Sequence, residues 1–104
     1  MKIKYDKLVR DKIPEIIKEN KQFPITHIAD HEEYWGKLKE KLTEEVDEFL
    51  KDSNEEEIVD ILEVIDYICK FKKFDKHKIG EIKKQKAEER GGFDGKVILD
   101  EVED

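Results

Sequence analysis

Two long apolar periodicities with almost nothing between them constrain this chain most. From His31 to about Asp52, Leu42, Val46 and Phe49 recur on one helical face. From Ser53 to about Phe74, Ile58, Ile61, Leu62, Ile65, Ile68 and Cys69 form a second, broader face. Each run opens with a start signal. Asp30 and Glu33 fit a D-x-x-E pattern, and Ser53 and Glu56 fit an S-x-x-E capping box. A connection of a few residues favours antiparallel neighbours, so the sequence predicts an all-α fold around a helical hairpin.

The flanks add less. Residues 1–10 read as a short arm. "KIPEIIKEN" reads as a first helix, with Pro14 in the opening turn where a missing N–H does no harm. "FPITHIAD" (23–30) reads as extended, anchored by Ile25 and Ile28. "KHKIGEIKKQKAEER" is a polar fourth helix stopped by Gly91-Gly92. "FDGKVILDEV" reads as a tail or strand, a candidate to pair with residues 24–29. At 104 residues the expectation is one domain, 1–104, with one modest core.

One residue breaks the pattern. Glu45 lies three after Leu42 and four before Phe49, inside the stripe that should face the core. It belongs to an E-E-x-x-E motif, Glu44, Glu45 and Glu48. The second helix carries Glu57 and Asp60, an E-x-x-D motif with the same three-residue spacing, which puts each pair on adjoining parts of one face. Glu48 and Glu45 stand roughly 6–10 Å before the turn, and Glu57 and Asp60 roughly 5–9 Å after it. The two pairs therefore match in height. A rival pair, Glu63 and Asp66, begins roughly 13 Å from the turn and points to the opposite flank. Four converging carboxylates at a half-buried site need cations to stay ionised. An all-oxygen donor set suits Mg²⁺ or Mn²⁺ rather than zinc. Acidic residues number 28 of 104, so pairs of this kind also arise by chance on solvated faces.

Composition narrows the partners. A net charge of −7 argues against general nucleic-acid binding, though not against a phosphorylated small molecule met through bound cations. The single cysteine, Cys69, excludes an intrachain disulfide or a cysteine zinc cluster and reads as a core residue. There is no apolar signal core and no run near the roughly 20 apolar residues of a membrane span, so a cytoplasmic location is expected.

On these residues the chain resembles the all-α nucleoside triphosphate pyrophosphohydrolases, which include MazG-like proteins, dimeric dUTPases, dCTP pyrophosphatases and phosphoribosyl-ATP pyrophosphohydrolase. "YDKLVRDKIPEII" near the start, and "KAEERGGF" followed by "KVILDE" near the end, look like the small phosphoribosyl-ATP-pyrophosphohydrolase-like branch. The resemblance covers nearly the whole chain. It implies that Glu45, Glu48, Glu57 and Asp60 bind Mg²⁺, that Glu44 is the supporting leading acid, and that Glu45 or Glu48 holds the attacking water. It also implies hydrolysis between the α and β phosphates, and a dimer or tetramer. One departure is the spacer of eight residues between Glu48 and Glu57, where MazG-type spacers are often longer. A shorter loop tightens the hairpin and leaves less surface for base selection.

Phosphate-binding candidates are Lys7, Arg10 and Lys12 in "KLVRDK", and Lys86 and Arg90 before the glycine pair. Each reads equally well as surface charge or as favourable charge near a helix end. Tyr34 and Trp35 read as core first and base-stacking residues second. His27 and His31 lie across an element boundary and make no helical ligand pair. The apolar faces are too wide for one polar helix to cover, which also predicts a homo-oligomer. The competing functions are phosphoribosyl-ATP hydrolysis in histidine biosynthesis, a non-catalytic helical interaction module, and a nucleotide-binding regulator.

Overall fold

A computed structural model describes residues 2–104. The described residues form four helices, α1 (Ile13–Glu19), α2 (His31–Asp52), α3 (Glu55–Lys72) and α4 (Lys76–Arg90), and no strand. The fold is all-α, with 60% of the chain helical. The chain divides into two compact units, Met1–Lys72 and Lys73–Asp104.

In the first unit, packing is concentrated between α2 and α3. The pairing is antiparallel. Trp35, near the start of α2, stacks on Phe71 at the end of α3, with ring centroids 5.2 Å apart and planes within 3°. Phe71 also meets His31 at 4.5 Å and the edge of Tyr34 at 5.7 Å, so four rings close the end of the hairpin away from its turn. The core is small: Leu38, Val64 and Cys69 are its buried apolar residues. On α3 the row Glu57, Ile61, Val64, Ile68 turns toward α2 and is buried or half-buried. Ile58, Leu62 and Ile65, about a quarter-turn round, stay exposed.

The turn differs from the expected capping box. Ser53 does not open α3; it closes α2 in the left-handed region (φ 49°), donating its N–H to the Phe49 carbonyl at 2.7 Å and its Oγ–H to the same oxygen at 3.1 Å. Asn54 opens α3, its Oδ1 accepting the Glu57 N–H at 3.0 Å. Asparagine caps as well as serine and frees Ser53 to satisfy the preceding helix. At the other end of α2, Asp30 caps as expected, accepting the Glu33 N–H at 2.8 Å. The Glu33 side chain does not return to Asp30, however. Its carboxylate meets His27 Nε2 at 2.9 and 3.0 Å.

In the second unit, Asp75 caps α4 by accepting the His77 N–H at 2.9 Å, and Gly91 at φ 82° ends the helix. Residues 24–29 and the tail around Val97 and Leu99 are not strands. Their apolar residues are exposed. No helix among the described residues is long and apolar enough to cross a membrane.

Candidate metal centre

Glu45 is the buried charge of the hairpin, 8% exposed, on the row of α2 that contains Leu38 and Leu42. Its ion-pair partner is Lys41 at 3.4 Å, one turn earlier on the same helix. Burying a carboxylate against a single partner is costly, so Glu45 is held there by the rest of the stripe rather than by its own preference. Across the hairpin it meets α3. One oxygen each of Glu45, Glu57 and Asp60 lies within 4.8 Å of the others. Glu48, Asp52 and Glu57 form a second group under the same limit, nearer the turn and more exposed. Glu57 is common to both.

The four sequence candidates are therefore arranged as two overlapping triads rather than one set. Glu48 joins Glu57 but is not grouped with Glu45 or Asp60. Asp52 completes the outer triad and was not among the candidates. Its signal was present: it lies four residues after Glu48, one turn along the same face. Neither Glu63 nor Asp66 joins a group of this kind among the described residues.

Chemically, both triads offer only carboxylate oxygen. Oxygens bound to Mg²⁺ at about 2.1 Å stand roughly 3–4 Å apart, so a triad held within 4.8 Å would have to draw its oxygens closer to close on such an ion. The donor set fits Mg²⁺ or Mn²⁺ and lacks the nitrogen or sulfur that zinc favours. Glu57 bears the electrostatic strain. Desolvation first, then the charges of Asp60, Glu48, Glu45 and Asp52, push its carboxyl above the usual glutamate range. Folded protein thus holds the Glu57 proton more tightly than unfolded chain does. As pH rises from about 4.3 through the raised folded value, this group's contribution to stability falls. A cation that keeps the triad ionised removes that loss. If the triad takes up Mg²⁺, the gain in melting temperature that millimolar Mg²⁺ gives should grow as pH rises through this window, and Glu57→Gln should flatten it. A gain that does not change with pH would count against Glu57 as a ligand.

The basic candidates are placed differently from a free phosphate grip. Lys7 Nζ meets Glu44 at 2.9 Å, and Lys41 meets the same carboxylate at 3.3 Å. Desolvation pushes the Glu44 carboxyl up, but the Lys7 hydrogen bond and the Lys41 charge outweigh it and leave it below its ordinary range. Arg10 joins Asp60 and Glu63 at 3.0 and 2.8 Å. Lys12 caps the start of α1, with no side-chain hydrogen bond there. Lys86 and Arg90 lie in α4, in the second unit. Trp35 is packed rather than open: Phe71 stacks on it, and Lys39 and Lys72 lie 5.0 and 5.3 Å from its ring centre. Tyr34 lines an open cleft of about 230 Å³ with Tyr67, Lys70 and Phe71.

No protein-family model, no curated protein and no solved structure matches the chain.

Proposed function

We propose that the chain is a divalent-cation-dependent nucleoside triphosphate pyrophosphohydrolase. It would convert (d)NTP and water to (d)NMP and pyrophosphate, as a house-cleaning activity on the nucleotide pool of the cytoplasm. The observation that carries this reading is the buried Glu45 brought against Glu57 and Asp60 across the hairpin, within 4.8 Å. The three sequence blocks that resemble the MazG-like superfamily support the choice of reaction.

On this reading Glu45, Glu57 and Asp60 hold Mg²⁺, and Glu48 with Asp52 extends the donor set toward the turn. When bound, the cation neutralises phosphate oxygens and lowers the pKa of a ligated water. Glu45 or Glu48 accepts a proton from the attacking water, whose oxygen bonds to phosphorus as the bridging oxygen leaves with pyrophosphate. Glu44 keeps Lys7 and Lys41 beside the acidic row, so the anionic substrate meets balanced charge.

Pyrophosphate release from a panel of standard and modified NTPs and dNTPs, with Mg²⁺, tests the activity. Turnover should fall at least about a hundredfold in Glu48→Gln, roughly 2.7 kcal/mol of barrier, and persist in Asp66→Asn. Equal loss in both variants would remove the preference for this acidic pair. Phosphoribosyl-ATP belongs in the panel, because turnover of it alone would identify the histidine-biosynthesis alternative.

The exposed stripe of Ile58, Leu62 and Ile65 supports a second feature, assembly into a homodimer or tetramer through α3. Light scattering should give at least twice the 12.4 kDa chain mass. A monomer that turns over no triphosphate would instead favour a helical interaction module, with this stripe as its docking face.

A further inference from the structure

The N-terminal arm reaches both helices of the hairpin through polar side-chain contacts. Lys37 on α2 donates to the Asp6 carbonyl at 2.6 Å, where Asp6 takes the left-handed conformation at φ 46°. Lys7 then reaches Glu44 on α2. Three residues on, Arg10 reaches α3 and divides one guanidinium between two carboxylates: Nη1 to Glu63 at 2.8 Å and Nη2 to Asp60 at 3.0 Å. Asp60 and Glu63 stand one helical turn apart and fit the two prongs of a single planar fork.

The two carboxylates keep different company. Asp60 belongs to the inner triad with Glu45 and Glu57; Glu63 belongs to no such group among the described residues. One side chain of the arm therefore links the acidic cluster to an anchor outside it. The geometry points to Arg10 as an internal counter-cation of the triad: a divalent cation displaces it from Asp60, and Glu63 retains it at the edge of the site with Nη2 released to donate to an anion. This inference rests on the reading of the triad as a cation site. A dication held by Asp60 draws that carboxylate's charge to itself and repels the guanidinium. The bond to Glu63 lies outside the triad and is retained. Arg10 then takes up phosphate only after the cation is in place, which orders the two binding events.

The test is Mn²⁺ affinity by calorimetry in the wild type, Arg10→Gln and Lys7→Gln. Lys7 supplies the comparison: it is a single positive charge on the same arm whose hydrogen-bonded partner Glu44 lies in neither triad, and it acts on Glu45 only through space. Direct competition predicts about fivefold tighter binding in Arg10→Gln, the scale of an exposed ion pair, and less than about twofold in Lys7→Gln. Equal tightening in both would mean that only overall charge matters, and would overturn the inference while leaving the cation site standing. Unchanged or weaker binding in Arg10→Gln would do the same. Absence of Mn²⁺ binding in the wild type would overturn the cation reading, and this inference with it. Arg10 is more than half exposed, so its replacement leaves the core intact.

Discussion

Glu45→Gln should abolish divalent-cation binding and triphosphate turnover while leaving the hairpin at least as stable as before. Two effects of one residue act in opposite directions here. A carboxylate that is 8% exposed costs stability in the absence of a cation, and the amide keeps its shape without its charge. Lys41 is not orphaned by the change, because it also meets Glu44 at 3.3 Å. The unliganded melting temperature should therefore hold or rise. Cation affinity should fall by about a hundredfold or more, since the best-buried ligand has lost its charge, and turnover should fall at least as far. Thermal melts with and without Mg²⁺, run beside the pyrophosphate assay, separate the two effects. A variant that loses stability and keeps turnover would show Glu45 to be a structural partner of Lys41 and nothing more.

Leu38→Ala should have the largest effect on folding. Leu38 is 1% exposed and is the fully buried side chain of the unit. Truncating such a leucine removes its transfer energy and leaves a cavity, typically about 2–5 kcal/mol in all. Among the described residues only Val64 and Cys69 share this core as buried apolar residues, so few neighbours can close in on the gap. For a domain of this size that corresponds to a fall of roughly 10–20 °C in melting temperature. Circular dichroism melts measure it directly, at fixed protein concentration if the chain assembles. A fall of only a few degrees would mean that the hairpin's stability lies elsewhere, in the ring cluster around Phe71 or in an oligomer interface.

The helices were legible because their cause is local. The spacing of Leu42, Val46 and Phe49 and the breaks at Asp30, Ser53–Asn54 and Gly91 are read along the chain, and each corresponds to a helix or a helix end. The residue that caps α3 was not. Ser53 and Asn54 are both good capping residues, and choosing between them depends on which is needed to end the helix before. Nor was the absence of a strand in the tail, because Val97 and Leu99 alternate whether or not a partner sheet exists. Within the site, height along two helices is enough to bring Glu45 to Glu57 and Asp60. It does not fix rotation, which is why Glu48 falls in with Asp52 instead. The pairing of Arg10 with Asp60 spans 50 positions in sequence, and no local pattern announces it.

The turn of Ser53 and Asn54 has one more consequence. Every carboxylate of both triads lies between Glu45 and Asp60, one uninterrupted stretch of chain folded back on itself. Such a segment closes through short-range encounters, which favours its early formation. Copied between two helices of an unrelated antiparallel bundle, with the stripe register kept, it should carry its two acidic triads along. The rest of the chain would then be free to diverge in what it presents to those carboxylates.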